Sequence, residues 1–118
     1  MNFEYTDSPG GDLIINLQGE MDALGCTQIR PSLERIVNTE NSHDVILDMG
    51  RVSFLDSSGI GVIVFLYKRL KARGRTLEII NVQGQPRDLM ELLRIDSAIP
   101  VSVGSSLNPP PGSRQCAG

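Results

Sequence analysis

The sequence predicts an α/β fold in which a small mixed sheet carries helices mainly on one of its faces. Two observations lead to this prediction. Two segments of alternating apolar residues, 3–6 and 13–18, flank a turn cluster rich in Pro and Gly, which is typical of an antiparallel hairpin. After this hairpin, helical patterns alternate with short apolar runs. Such alternation is typical of parallel strands that are joined by helices.

The first helix is predicted to follow the hairpin, because apolar residues recur at helical spacing over residues 26–37. Pro31 interrupts this pattern. Either Pro31 lies in the first turn, where its missing N–H costs nothing, or it kinks the helix. Residues 38–42 are expected to form a loop. The compact apolar run at residues 45–47 indicates a buried central strand.

The second helix is predicted over residues 56–74, although its β-branched run at residues 60–66 would by itself fit a strand. The end of the segment decides the assignment, because several cations lead into Gly74, as they do at helix C-termini. Asp56 and the two serines after it supply N-cap chemistry at the other end. We therefore expect about four turns, at ~3.6 residues per turn.

The remainder of the chain continues the alternation. We predict a strand over residues 76–82, a helix over residues 86–93 that begins on a proline, and a short strand over residues 100–103. Residues 104–118 are rich in proline and have few apolar side chains, so we expect them to be disordered. The chain is thus expected to form one domain, residues 1–103, followed by a Pro-rich tail.

The composition excludes several classes of protein. The net charge is −3, and a nucleic-acid partner would usually require a strongly basic face. Two cysteines and one histidine are too few for a closed zinc site, and we expect no metal and no cofactor. Cys26 and Cys116 form no disulfide framework, as expected of a reduced, cytosolic protein. The N-terminus has no signal-peptide pattern, and no apolar run is long enough to span a membrane.

Residues 56–61, with the sequence DSSGIG, are the strongest candidate for a functional site. They bring two hydroxyl groups to a helix N-terminus, where N–H groups lack partners and the helix dipole favours negative charge. The site can therefore hold a phosphate, either bound or covalently attached to a serine. From chemistry alone, the alternative is that Asp56, Ser57 and Ser58 merely cap the helix.

These residues also carry a family resemblance. Residues 54–62, FLDSSGIGV, resemble the central signature of the STAS domain, the fold of sulfate transporters and anti-sigma-factor antagonists, and residues 19–22, GEMD, resemble its Gly-Glu-Leu-Asp element. The resemblance covers roughly residues 3–103. It implies that Ser57 is the target of a serine protein kinase that doubles as an anti-sigma factor. It also implies that this kinase binds the unphosphorylated form and that a phosphoserine phosphatase reverses the modification.

The resemblance places the loop of Asp22 beside that of Ser57, although Glu20 and Asp22 could equally be turn and N-cap residues. Residues 60–66 cannot all face one sheet, so we expect Ile60 and the neighbouring Gly61 to be exposed to a partner, unless loops bury them. The residues predicted to contact the partner are Asp22, Asp56, Ser58, Gly59, Ile60 and Gly61.

Two features depart from the family pattern. The Pro-rich tail replaces the usual closing helix, and Pro31 interrupts the first helix.

An enzyme with Ser57 as nucleophile is not expected. A serine nucleophile needs a base within hydrogen-bond reach, but His43 is expected on the order of 15 Å away at ~3.3 Å per strand residue, and Lys68 about three turns along the helix. The better alternative is a STAS-type subunit or scaffold that binds a transporter ATPase, or another signalling protein, without a serine switch.

No aromatic residue is interleaved among the following basic residues, which we interpret as solvated helix-end and loop residues: Lys68, Arg69, Lys71, Arg73 and Arg75.

Overall fold

Five strands form one mixed sheet in the computed structural model, which describes residues 1–38 and 44–103. In the order of the sheet they are β1 (Asn2–Asp7), β2 (Leu13–Met21), β3 (Val45–Leu55), β4 (Leu77–Val82) and β5 (Val101–Val103). β1 runs antiparallel to β2, and every later neighbour pair is parallel. The predicted mixed sheet with an opening hairpin is confirmed.

Three helices cover one face of this sheet. They are α1 (Ala23–Asn38), α2 (Ser57–Ala72) and α3 (Gly84–Leu92), and a short 3₁₀ helix, Ile95–Ser97, precedes β5. Alternate residues of the central strands, such as Leu47, are buried in one cluster with helix residues such as Leu33 and Ile63. The residues between them lie on the opposite face, where Asn16 and Arg51 are exposed. This confirms that the helices pack on one side, as predicted.

The two central strands are longer than the sequence pattern indicates. β3 extends as one strand of 11 residues from the predicted apolar run to Leu55. The prediction that β2 ends before Gly19 is wrong, because β2 stays paired with β3 as far as Met21, which lies opposite Leu55. Val52 and Leu55 are three positions apart and would face opposite sides of a regular strand. Irregularities in the pairing allow both to be buried. Because of this extension, β2 and β3 end at the same edge of the sheet.

The helices also differ in detail from their predictions. Pro31 lies in the interior of α1, which excludes the first-turn position considered above. α2 ends as predicted: Gly74 has a φ of 71°, and the N–H groups of Gly74 and Arg75 donate to the carbonyl oxygens of Lys71 and Leu70. This pattern is a Schellman cap, which satisfies carbonyl groups at the helix end. The sequence pattern did not indicate the 3₁₀ helix before β5.

Side chains replace main-chain pairing along the last part of β3. β4 pairs with β3 only as far as Asp48 and Ile80, so β3 continues beyond its parallel neighbour. There the side chain of Gln85 accepts a hydrogen bond from the N–H of Leu55 at 2.8 Å and donates one to the carbonyl oxygen of Leu55 at 2.7 Å. The two hydrogen bonds mimic a strand neighbour and hold the chain immediately before Asp56.

Gly59 allows α2 to begin directly against the ends of β2 and β3. A Cβ atom at this position would lie 2.9 Å from both the Cβ atom and the carbonyl oxygen of Met21, and it would overlap the side chain of Leu55. Gly61 lies two residues further along the same helix, and a Cβ atom there would meet nothing within 4 Å. The two glycines therefore have different roles in one helix.

Some expectations concern residues outside the described ranges. These are the remainder of the predicted loop at residues 39–42, the position of His43, and the predicted disorder of residues 104–118, which include Cys116. The domain boundary at residue 103 coincides with the last described residue and stays a prediction.

We predict that Gly59→Ala lowers the free energy of unfolding by about 1–3 kcal/mol, because the added methyl group overpacks the contact with Met21 and Leu55. The matched variant Gly61→Ala should raise it by about 0.5–1 kcal/mol, because alanine is the better helix former and its methyl group meets open space. Denaturant unfolding of both variants measures the difference. Equal effects of the two substitutions would contradict the packing role of Gly59.

We predict that Gln85→Met speeds amide hydrogen exchange at Leu55 and Asp56 and destabilises the domain by about 1–2 kcal/mol, because two hydrogen bonds are lost. Gln83→Met is the matched control, since the Gln83 side chain donates to the carbonyl oxygen of Gly50. It should leave exchange at Leu55 unchanged. Exchange measured by NMR tests both variants, and an unaltered Leu55 amide in Gln85→Met would show that the contact does not hold β3.

Candidate functional site

Asp56 is the N-cap residue of α2. Its backbone is extended, with φ −123° and ψ −167°, and its Oδ1 atom accepts hydrogen bonds from the N–H groups of Ser58 at 2.9 Å and Gly59 at 3.3 Å. Asp22 has the same role for α1, because its Oδ1 atom accepts from the N–H of Gly25 at 2.7 Å. Each aspartate therefore satisfies donors that a helix N-terminus would leave free.

The sheet brings the two capping aspartates to one edge. Each directly follows a strand end, and those ends, Met21 and Leu55, are paired in the parallel ladder. The N–H of Asp56 donates to the carbonyl oxygen of Met21 at 3.4 Å. Both carboxylates also act on the buried thiol of Cys26. Burial raises the pKa of that thiol, Asp56 and then Asp22 raise it further, and Arg30 opposes them.

Ser57 occupies the first position of α2, and its side chain is exposed. Its neighbours Asp56 and Ser58 are half-buried. Because Asp56 directs its carboxylate to the backbone N–H groups, Ser57 contributes no capping contact through its own hydroxyl. A modifying enzyme can reach this hydroxyl without unfolding the helix.

The chemistry of this N-terminus differs from the expectation in one respect. The predicted anion site relied on unpaired N–H groups, but those of Ser58 and Gly59 already bind the carboxylate of Asp56. A free phosphate ion would have to displace that carboxylate. A phosphoryl group on Ser57 would instead extend from an exposed position and lie near the negative charge of Asp56. The N–H groups of Ser58 and Gly59 are therefore not free to bind an anion.

The other predicted contact residues fall into two groups. Gly61 is exposed, and Asp22, Ser58 and Ile60 are half-buried, so all four present some surface at or near this edge. Gly59 is buried, and its contacts give it a packing role inside the domain. The predicted exposure of Ile60 is thus only partial, because part of its side chain packs against the core.

Two apolar residues near the site were missed by sequence reasoning. Leu24 in the first turn of α1 is 68% exposed, and Phe54 near the end of β3 is 39% exposed. Leu24 could have been found, because it lies off the spacing that Cys26 and Ile29 share. Phe54 could not, since its exposure depends on the irregular pairing between β2 and β3.

The described residues contain no cluster of three or more His, Cys, Asp or Glu side chains that could hold a metal ion. Over the same residues, no helix has the length and apolar character to cross a membrane.

Comparisons with known proteins agree on the family. The model of the STAS domain family matches residues 5–107. The anti-sigma F factor antagonist of Paenibacillus polymyxa is 25% identical over 91 residues, which cover 77% of this chain and 78% of that protein. The anti-sigma-B factor antagonist of Bacillus subtilis (strain 168) is 28% identical over 94 residues, which cover 80% and 84% of the two chains.

Solved structures share the fold. The unphosphorylated form of the anti-sigma factor antagonist SpoIIAA has a TM-score of 0.66 and 21% identity, covering 89% of this chain and 90% of that one. The phosphorylated form of the Bacillus cell fate determinant SpoIIAA also has a TM-score of 0.66, with 22% identity and coverage of 85% and 90%. The murine Slc26a9 anion transporter has a TM-score of 0.68 and 20% identity, covering 80% of this chain but 16% of the transporter.

Signalling proteins and a transporter thus share this fold, so the fold alone does not select between the two functions considered above. The family match spans both the GEMD segment that leads to Asp22 and the DSSGIG segment that begins α2. From its match over residues 5–107 and its mixed five-stranded sheet, the chain belongs to the STAS domain family.

Proposed function

We propose that this chain is an anti-sigma-factor antagonist that is switched by phosphorylation of Ser57. In the unphosphorylated form it binds a serine protein kinase that is also an anti-sigma factor. The kinase phosphorylates Ser57 and the complex dissociates. A phosphoserine phosphatase restores the binding form, and the cycle takes place in the cytoplasm.

The exposed hydroxyl of Ser57, directly after the N-cap Asp56, is the observation that carries the proposal. A kinase substrate must present its hydroxyl outside the domain, and Ser57 does so at a position that is fixed by the helix. The similar antagonists from Paenibacillus and Bacillus support the proposed class of function, and SpoIIAA has been solved in both phosphorylation states.

The physical basis of the switch is the addition of negative charge to Ser57, directly beside the carboxylate of Asp56. Phosphorylation adds roughly 1.5 to 2 negative charges. The new group would lie beside Asp56, whose carboxylate is held in place by two backbone N–H groups. Like charges in a desolvated contact cost several kcal/mol, whereas ~1.4 kcal/mol changes affinity tenfold. The modification therefore acts on the interface and leaves the fold intact.

The surface around Ser57 offers a partner both polar and apolar groups. Gly61 is exposed one helical turn from Ser57, and Ile60 and the strongly exposed Leu24 add apolar surface. Exposed apolar residues grouped near a polar switch are typical of protein–protein contacts. A partner that covers this area would also cover the hydroxyl of Ser57.

We predict that Ser57→Asp folds normally but fails to bind the partner kinase, whereas Ser57→Ala binds it and cannot be phosphorylated. Ser58→Ala should still be phosphorylated, because the capping bond of Ser58 uses its backbone N–H, which alanine keeps. Incubation with ATP and a candidate partner kinase, followed by intact-mass and peptide mass spectrometry, locates the modification. Calorimetry measures binding.

Two results would contradict the proposed switch: phosphorylation mapped to Ser58, or a Ser57→Asp protein that binds the kinase as tightly as the wild type. If no kinase binds or modifies the chain while a transporter ATPase binds it irrespective of Ser57 variants, the scaffold alternative is correct.

We predict that Gly61→Ala weakens kinase binding although it stabilises the fold, because the added methyl group meets open space in the free protein but obstructs the partner's backbone. Ile60→Ala and Leu24→Ala should weaken binding by roughly tenfold or more if these residues are interface anchors. Leu92→Ala is the matched control, since Leu92 is 77% exposed and lies at the C-terminal end of α3. Normal binding by all three site variants would exclude this surface.

A further inference from the structure

The outward faces of α1 and α2 carry a concentration of positive charge that the switch itself does not use. Within these two helices the basic residues are Arg30, Arg35, Lys68, Arg69 and Lys71, and the one acidic residue is Glu34. Their formal charge is 5 − 1 = +4, whereas the whole chain has a net charge of −3. The remainder of the chain therefore carries −7, and the charge is strongly segregated.

Two arginines from different helices rest on one aromatic ring. The guanidinium carbon of Arg30 in α1 lies 4.8 Å from the ring centroid of Phe65 in α2, and that of Arg69 lies 5.1 Å from it. Cations at such distances are attracted to the ring face. Neighbouring side chains add further restraint, because Arg30 bonds Glu34 at 3.3 Å and Arg69 bonds Asn38 at 3.3 Å.

A third cation makes a similar contact with a ring two residues further along α2, on a different side of the helix. The ammonium group of Lys71 lies 5.6 Å from the ring centroid of Tyr67 and 3.5 Å from its hydroxyl oxygen. The basic side chains are thus partly ordered by the aromatic residues beneath them, and the interpretation of Arg69 and Lys71 as merely solvated is incomplete. Ordering before association lowers the entropy cost of binding.

This basic surface is continuous with the surface around Ser57. Ser57, Gly61, Val64 and Lys68 lie at positions i, i+4, i+7 and i+11 of α2, on the side opposite its buried residues. The rise along a helix places Lys68 about 16 Å from Ser57, at ~1.5 Å per residue. A single protein partner of ordinary interface size can cover both ends of this stripe.

We propose that the side chains of Arg30 and Arg69, held on Phe65, form a docking surface for an acidic segment of the kinase partner. This inference rests on the proposed function for the identity of the partner. The planar guanidinium groups are suited to carboxylates, which they bind through paired N–H donors. The basic end attracts the partner over a distance and sets its orientation, while the Ser57 end reads the phosphorylation state.

Other polyanions fit the surface less well. Single-stranded nucleic acid is bound largely through bases stacked on exposed aromatic rings, but cations occupy the faces of Phe65 and Tyr67. A membrane-bound helix inserts apolar side chains between its cations. Here the half-buried ring of Phe65 is covered by two arginines, so the apolar group beside the cations is already occupied.

The first test compares two double variants with the same change in net charge. Arg30→Glu/Arg69→Glu alters the docking surface, and Arg51→Glu/Arg87→Glu alters the open sheet face and α3. We expect the association rate constant for the kinase to fall by about tenfold or more at low ionic strength in the first variant and to change little in the control. The salt dependence of association should weaken in parallel. Equal association rates for both double variants would overturn the docking surface while leaving the Ser57 switch intact.

The second test does not depend on the kinase. An unstructured peptide of alternating Asp and Glu is titrated into isotope-labelled protein, and the side-chain Nε signals of arginine are followed by NMR. Shifts centred on Arg30 and Arg69 in the wild type, together with weaker peptide binding by their double variant, support the surface, even if the wild type binds no kinase and the proposed function fails. Shifts of equal size at Arg51 and Arg87 would overturn it.

Duplex DNA and phosphatidylglycerol vesicles are tested in parallel. If either binds the wild type as tightly as the acidic peptide does, and if that binding is lost in Arg30→Glu/Arg69→Glu, then the surface recognises polyanions in general. That result would overturn the assignment to an acidic protein segment. Binding of the peptide alone supports it.

Discussion

The parallel pairing of β2 and β3 up to Met21 and Leu55 determines where everything else at the functional edge lies. Because the two strands end together, the aspartates that follow them begin α1 and α2 side by side. At the start of each helix an aspartate side chain, Asp22 or Asp56, satisfies N–H groups of the first turn. Gly59 permits the close approach, and Gln85 secures the strand where β4 no longer pairs with it. The strand pairing, the two aspartate caps, the packing of Gly59 and the hydrogen bonds of Gln85 together determine the position of Ser57.

The same contacts bear on the proposed phosphorylation of Ser57. A helix N-terminus attracts anions, but here Asp56 already satisfies two of its donors. This leaves Ser57 outside the capping network and beside a fixed negative charge. Modification of Ser57 therefore need not disturb the cap, and its charge is presented to whatever covers this edge. The proposed phosphorylation site, Ser57, thus directly follows the residue that caps the helix, Asp56.

Much of this arrangement could be predicted from the sequence, where the relevant signals are local. The hairpin, the order of strands and helices, and the end of α2 at Gly74 all depend on nearby residues, and the structure agrees with them. The extension of β2 to Met21 depends on a distant strand, so the local pattern placed its end too early. The contact of Gln85 with Leu55 has no local signal, because 30 residues separate its partners.

Within the candidate site, the same distinction holds. The type of residue at positions 56–61 indicated a helix start with accessible hydroxyl groups, but it did not distinguish a glycine that packs, Gly59, from one that is exposed, Gly61. That distinction requires knowing which side of α2 faces the sheet. The stacking of Arg30 and Arg69 on Phe65 also could not be predicted from a local pattern. Arg30 lies in α1, Phe65 and Arg69 lie in α2, and β3 separates the two helices in the sequence.

The two sides of α2 therefore carry different constraints. Its inner side, which includes Ile63 and Leu66, is fully buried and determines stability. Its outer side begins with an exposed serine, continues through small and apolar residues, and ends in cations that rest on aromatic rings. A substitution on the outer side therefore leaves the core packing largely unchanged. Under the proposed function, such a substitution alters the partner surface while the sheet beneath it, and the position of Ser57, stay the same.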